Sequence, residues 1–287
     1  MRVARLSWFW LVAAFALGGS PWAPRQAMAA DTVRSATSLT RMEARVKKDG
    51  VLVVHVLVPL CDNAQIVCGS KAAGDPLDAS KNLYWGAIFG QKRFFSRKAS
   101  AFTRVGDEKG SGSHLERAVV RRFVDGAPWG RSDKVELILV LDAFRGDRID
   151  GVVDAFFDEA EAGKSLTFDD GGKRRTVSVS VVGYAGHNRM MDGKKPPPIG
   201  KHAAPEAIPS FVMACYSRSY FEAGLTRRGS DMLLMTKQLM APEGYVVEAI
   251  VDAVAANADR PSIKRRAIAA YAKWQKIEEQ VAATIFD

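Results

Sequence analysis

The run Val51 to Leu60, VLVVHVLVPL, is apolar throughout except at His55. A strand with one wet face alternates apolar and polar residues; a strand without alternation must be covered on both faces. This β-branched run therefore predicts an inner strand of a mainly parallel sheet. Four further runs extend the pattern: Val135 to Leu141, Thr176 to Ala185, Phe211 to Ala214 and Met232 to Thr236. Between them lie segments of helical period. Leu83, Ala87, Gly90 and Phe94 predict a helix over Asp78 to Phe95, and Ile149, Val152, Val153, Phe156 and Phe157 predict one over Arg148 to Ala162. Shorter or later helices are expected over Ser219 to Ala223, Val246 to Ala256 and Ile263 to Ile285. Strands alternating with helices give an α/β fold, a mainly parallel sheet flanked by helices on both faces.

Two stretches read as connections. Arg104 to Arg117 is rich in Gly, Ser and charge and reads as a surface loop. Gly193 to Pro209, GKKPPPIGKHAAPEAIP, joins the third strand to the fourth and reads as a mobile loop overhanging their ends.

The first 29 residues are set apart from the fold. Arg2 and Arg5 precede an apolar stretch, Trp8 to Leu17, followed by Ala27-Met28-Ala29. That order predicts a secretory signal peptide over 1–29, cleaved after Ala29 or Ala30, and one α/β domain over 30–287. The protein is then expected to be periplasmic or secreted, with no transmembrane anchor after cleavage. The formal charge is +9, and removing Arg2, Arg5 and Arg25 brings it to +6. Basic and acidic residues alternate along the chain, as on a solvated surface, and no nucleic-acid partner is expected. No spacing of His, Cys, Asp or Glu suggests a metal, and no cofactor is expected. Of three cysteines, Cys61 and Cys68 bound one turn-rich loop, so an oxidising compartment predicts a disulfide between them. Cys215 is left as a free thiol.

His187 and Cys215 each follow an apolar strand, in VVGYAGHN and SFVMACYS. Parallel sheets gather ligand sites beyond the carboxyl ends of their strands. If the two strands are neighbours, the imidazole and the thiol share one rim. An imidazole there can take the thiol proton and leave a nucleophilic thiolate. Each residue taken singly also fits a plainer role: a buried small hydrophobe for the cysteine, a hydrogen-bonded strand end for the histidine. His55 reads as buried and satisfied, and His114 and His202 as loop residues; Asp192, near His187, fits either a group that orients the imidazole or, more plainly, a solvated loop residue.

These residues resemble the caspase-like cysteine peptidases, the group of caspases, metacaspases, legumains, clostripains and gingipains. There, one apolar strand ends in a histidine and a later one ends in Ala-Cys. GDPLDASKNL, 74 to 83, resembles the stretch after the family's first strand, with Asp75, Asp78, Ala79 and Leu83 in comparable places. The chain also resembles a set of exported bacterial proteins that share NLYWGA, 82 to 87 here. The resemblance implies a caspase-like fold and an exported cysteine endopeptidase acting on a peptide or protein substrate. His187 would be the base, Cys215 the nucleophile, and the Cys215 N–H with one after His187 the oxyanion donors. Asn188 stands where the family carries glycine. Asp62, beyond the first strand, and Asp142, beyond the second, are candidate substrate-binding residues, with Asn188. Each aspartate fits a cap or turn equally well. The alternative is a catalytically inactive caspase-like binding or scaffold protein.

Overall fold

A computed structural model describes residues 37–202 and 205–287, so the expected signal peptide lies outside the described residues. The chain enters through helix α1, Ser38–Asp49, capped by the Thr37 hydroxyl at one end and by Gly50 at φ 68° at the other. Strand β1, Val51–Pro59, follows at once and is buried along nearly its whole length. The remaining elements are α2 (Gln91–Phe95), β2 (Thr103–Lys109), β3 (His114–Val124), β4 (Val135–Phe144), α3 (Ile149–Ala162), β5 (Ser165–Asp170), β6 (Lys173–Ser178), β7 (Val181–Ala185), β8 (Ser210–Met213), α4 (Ser217–Arg227), β9 (Met232–Leu234), α5 (Gly244–Ala255), α6 (Arg260–Gln275) and α7 (Glu279–Ala283).

The main sheet has seven strands in the order β2-β3-β4-β1-β7-β8-β9. Strands β4, β1, β7, β8 and β9 run parallel, while β3 pairs antiparallel with both β4 and β2. The apolar run that opened the sequence is thus the middle strand. Its two faces go to two cores. Leu52, Val54, Val56 and Val58 pack with Met42 and Val46 of α1 and with Tyr245, Ile250, Ala267 and Tyr271 of α5 and α6. Val53 and Leu57 pack with Val152, Phe156 and Phe157 of α3 and with Phe221 and Leu225 of α4. Each fully buried valine or leucine of β1 adds roughly 1.5–3 kcal/mol over an exposed one. The α/β class and the two-sided covering agree with the sequence. No helix of the described residues is long and apolar enough to cross a membrane.

Five expectations are corrected. The helix over Asp78 to Phe95 is absent except for α2. In its place a chain of turns is tied to the end of β1 by Asn82, which is fully buried. Its amide oxygen accepts from the Cys61 and Tyr84 N–H groups, and its amide nitrogen donates to the Cys61 and Asp75 carbonyls. Gly86 packs so closely on Ser80 that a β-carbon there would lie 2.1 Å from the Ser80 carbonyl oxygen. These long-range bonds outweigh the helical period.

The supposed loop over Arg104 to Arg117 is most of the β2–β3 hairpin. Most of its charges pair along the sheet edge, as Asp107 and Glu116 do with Lys92, while Arg117 turns inward to Asp142, and only the Gly110–Ser113 stretch turns. The strand over Thr176 to Ala185 is two strands. Ser180 breaks it, its N–H donating to the Val53 carbonyl at 2.8 Å, and β6 pairs with β5 in a separate small sheet. The last helix breaks at Lys276, where φ is 54°.

The proline-rich segment, expected to overhang the site, is fastened along α3 over residues 194–202. Lys194 Nζ lies 2.6 Å from Asp154. The Gly200 N–H donates to Glu161 at 3.1 Å. Arg228 is buried, lies 3.0 Å from Glu161, and donates to the Pro197 and Pro198 carbonyls at 2.6 and 2.9 Å.

Candidate active site

Strands β7 and β8 are parallel neighbours, with Ala185 opposite Met213. His187 and Cys215 each stand two residues beyond that pair, at the same height on the carboxyl rim. The Gly186 N–H continues the ladder to the Met213 carbonyl at 3.1 Å. Gly186 is required by packing: a β-carbon there would lie 2.8 Å from Pro59 Cγ at the tip of β1.

Both residues are partly exposed. After His187 a 3₁₀ turn, Arg189–Asp192, folds back. It brings the Asp192 carboxylate to 2.6 Å from His187 Nε2. The Tyr184 hydroxyl donates to the His187 carbonyl at 2.7 Å. The ring is therefore held by one nitrogen, and Nδ1 has no partner among the described residues. No hydrogen bond joins His187 to Cys215.

The cysteine side is held as firmly. Cys215 is the free cysteine. Its sulfur accepts from the Met240 N–H at 3.4 Å. Beyond it, Tyr216 takes φ 51°, a left-handed conformation that costs a residue with a β-carbon on the order of 1–2 kcal/mol. Ser217 and Thr236 pay for that turn with buried bonds. The Ser217 hydroxyl donates to the Val212 carbonyl at 2.9 Å, the Ser217 N–H donates to the Thr236 hydroxyl at 3.1 Å, and that hydroxyl donates to the Ala214 carbonyl. Backbone held in such a region marks a place the surrounding structure over-determines, and such places cluster at active sites.

The two strand tips are tied by Asn188. It is fully buried, its amide nitrogen donates to the Cys215 carbonyl at 2.6 Å, and its amide oxygen caps the 3₁₀ turn at the Met190 N–H, 3.1 Å away. The side chain is spent between the tips, so Asn188 is a tie between the two strands and is not available as a substrate-binding side chain. The backbone N–H groups of Cys215 and Asn188 donate to no acceptor among the described residues. Cys215 is partly exposed, so its N–H is the candidate donor for an oxyanion, whereas Asn188 is fully buried.

The aspartates lie elsewhere. Asp142 is inside β4, opposite Leu57, not beyond the strand. It is buried and takes Arg117 through two bonds of 2.7 Å, with His55 Nε2 at 3.0 Å. Burial pushes its carboxyl up, but Arg117, His114 and His55 together hold it well below the usual range. His55 is fully buried and also meets Glu159 at 2.7 Å through Nδ1. Burial alone would lower the imidazole, yet Glu159 and Asp142 raise it to about 9. A substrate has no access to this group, and Asp142 serves packing and charge balance. Asp62 accepts from the Ala64 N–H at 2.8 Å and from the Gln65 amide at 3.3 Å, as a turn residue does. Cys61 and Cys68 form a disulfide with Cα atoms 6.1 Å apart.

Sequence reasoning ranked a solvated Asp192 above one that orients His187, whereas the 3₁₀ turn returns its carboxylate to the ring. Tyr84 comes from the segment wrongly read as helix. It is buried, and burial raises its phenol, with the Cys215 and Glu243 charges adding to the effect. Among the described residues no group of three His, Cys, Asp or Glu is placed to hold a metal ion. Comparison with family models, with curated proteins and with solved structures finds no match to this chain.

Proposed function

We propose that this protein is a cysteine-dependent acyl hydrolase, an exported endopeptidase with a caspase-like arrangement of its strands. The observation that carries the reading is the register of β7 and β8, which sets His187 and Cys215 at one height on one rim. With Nε2–H directed to Asp192, His187 Nδ1 is the base that takes the thiol proton. The Cys215 sulfur then attacks the peptide carbonyl carbon, and the oxyanion takes the Cys215 N–H group. The imidazolium returns its proton to the leaving amine, and water, activated by the same ring, hydrolyses the thioester. The disulfide supports an oxidising compartment for this reaction.

The absence of a His187–Cys215 hydrogen bond supports a second reading, a binding or scaffold protein that uses the same cleft for a peptide. Alkylation separates the two. In the catalytic reading, iodoacetamide modifies Cys215 at neutral pH at least tenfold faster than a model thiol. Cys215→Ala then abolishes hydrolysis of a mixed peptide library while leaving the melting temperature in place. A thiol no more reactive than the model, with no cleavage in the library, leaves the binding reading.

A further inference from the structure

Beyond the carboxyl ends of β1, β4 and β7 lies a cavity of about 490 Å³. Its wall includes Gln65 from the segment after β1, Asp147 and Arg148 after β4, Asp150 and Gly151 in the first turn of α3, and Arg189 after β7. Arg189 joins this cavity to the His187 ring. Its Nε lies 3.0 Å from Asp150, and its Nη1 lies 3.3 Å from the Asp192 oxygen that His187 Nε2 meets at 2.6 Å. The strand order gives the cavity a side. From β8, which leads to Cys215, the sheet passes through β7, which leads to His187, and on to β1 and β4. The cavity therefore lies on the His187 side of the pair, away from Cys215.

Charge in the wall is unevenly matched. Asp147 accepts from Arg145 through two bonds of 2.9 and 2.7 Å, and Asp150 is met by Arg189. Arg148 is exposed, and its guanidinium makes no hydrogen bond or ion pair among the described residues. Arg189 Nη2 makes none either. Both acids of the wall are thus neutralised, and the charge left over is the Arg148 cation. Gly151 is an independent sign. Glycine is a poor helix former, yet it stands in the first turn of α3. Packing does not require it, since a β-carbon there would meet nothing within 4 Å. Its bareness keeps the cavity wall open.

We propose that this cavity is a substrate subsite for an acidic side chain of the bound peptide, held by Arg148 and by Arg189 Nη2. The inference rests on the His187–Cys215 cleft of the proposed function. In that reading the acyl half of the peptide stays on Cys215, and the leaving amine departs past His187, which protonates it. A cavity on the His187 side then meets residues that follow the cleaved bond. A carboxylate matches a guanidinium in shape and charge, while an amide of the same shape lacks the charge.

The test offers a mixed peptide library to the full chain at low ionic strength, as the unaltered protein, Arg148→Gln and Gly151→Leu, with cut sites read by mass spectrometry. The expected result is an excess of Asp and Glu over Asn and Gln just after the cut, about tenfold for one charge-assisted contact. Added salt shrinks it, because Arg148 is exposed. Arg148→Gln brings the ratio near one. Gly151→Leu does so as well by filling the cavity, with a melting temperature unchanged or raised, because leucine is the better helix former. A ratio near one in the unaltered chain, or a preference that survives in either variant, overturns the subsite. A second measurement needs no cleavage: immobilised Cys215→Ala is given the same library, and the retained peptides are sequenced. Retention of acidic peptides that Arg148→Gln abolishes, in a protein that cuts none, upholds the subsite and overturns the peptidase reading. No acidic preference in either measurement overturns the subsite alone if peptides are cut, and both proposals if none is.

Discussion

At the scale of single residues, the site is assembled from a few groups held by their own hydrogen bonds. His187 is oriented by Asp192, Cys215 is braced by Met240, and Asn188 joins their strands. Asp192→Asn keeps the shape and removes the charge. For the proposed hydrolysis, losing a charge-assisted bond of about 1.5–3 kcal/mol lowers kcat between roughly tenfold and a hundredfold. KM is expected to change little, because Asp192 does not touch the substrate. Steady-state kinetics on a cleaved peptide checks this, and an unchanged kcat would return Asp192 to the solvated role that its sequence position suggested. The legible part at this scale was the pair His187 and Cys215. The Asp192 contact and the buried state of Asn188 depend on how the 3₁₀ turn closes, which no residue pattern encodes.

At the scale of elements, two fastenings decide how the chain around the sheet behaves. The first is the latch of Arg228 and Glu161 over the proline-rich segment. Breaking a buried ion pair by removing one partner costs about 3–5 kcal/mol. Arg228→Leu should therefore free residues 194–202, and limited proteolysis read by mass spectrometry should cut there first. The unaltered protein should be cut elsewhere first. Early cutting at 194–202 in the unaltered protein would show that the latch does not hold. The second is the disulfide, which closes a short loop beyond β1. Cys61→Ser with Cys68→Ser should lower stability by about 2 kcal/mol, the value for a loop of this size. Chemical denaturation measures it, and no change would mean that Asn82 alone holds the segment. The pairing was legible because two cysteines bounded one loop. The helix wrongly read beside it was not, because the Asn82 amide is engaged with Cys61 and Asp75, 21 and 7 positions away, as well as with Tyr84.

At the scale of the whole molecule, the buried network of Arg117, Asp142, His55 and Glu159 joins β3, β4, β1 and α3 across one face of the sheet. It ties stability to pH. The folded value of His55, about 9, lies above the unfolded value of about 6.5. Its contribution is thus complete below about pH 6.5 and is lost as pH rises through about 9. Asp142 is depressed in the fold, so its contribution is present above its unfolded value, about pH 4, and is lost as pH falls further. The His55 share is on the order of 3 kcal/mol. Urea midpoints should be highest between about pH 4 and 6.5 and decline toward pH 9.5. His55→Leu should be less stable at pH 6 and lack most of that alkaline decline. An alkaline limb equally steep in the variant would show that other groups carry it.

The sequence by itself determined the class of the fold. An uninterrupted apolar strand can be dried only by helices on both faces, and the period of the apolar residues placed most of those helices and strands. It also determined that a histidine and a cysteine end apolar strands, and that two cysteines bound one loop. Only the tertiary structure decided that the β7 and β8 ends are neighbours in register. It alone turned the charged stretch after Arg104 into an edge hairpin and withdrew Asp142 from any substrate. It alone returned the Asp192 carboxylate to the His187 ring. The physical reason is one of range. Periodicity reports which side of an element meets the core, a property of near neighbours along the chain. Hydrogen bonds such as Asn188 to Cys215 and ion pairs such as Arg117 to Asp142 are made across 25 residues or more, and only the packed sheet brings their partners within reach.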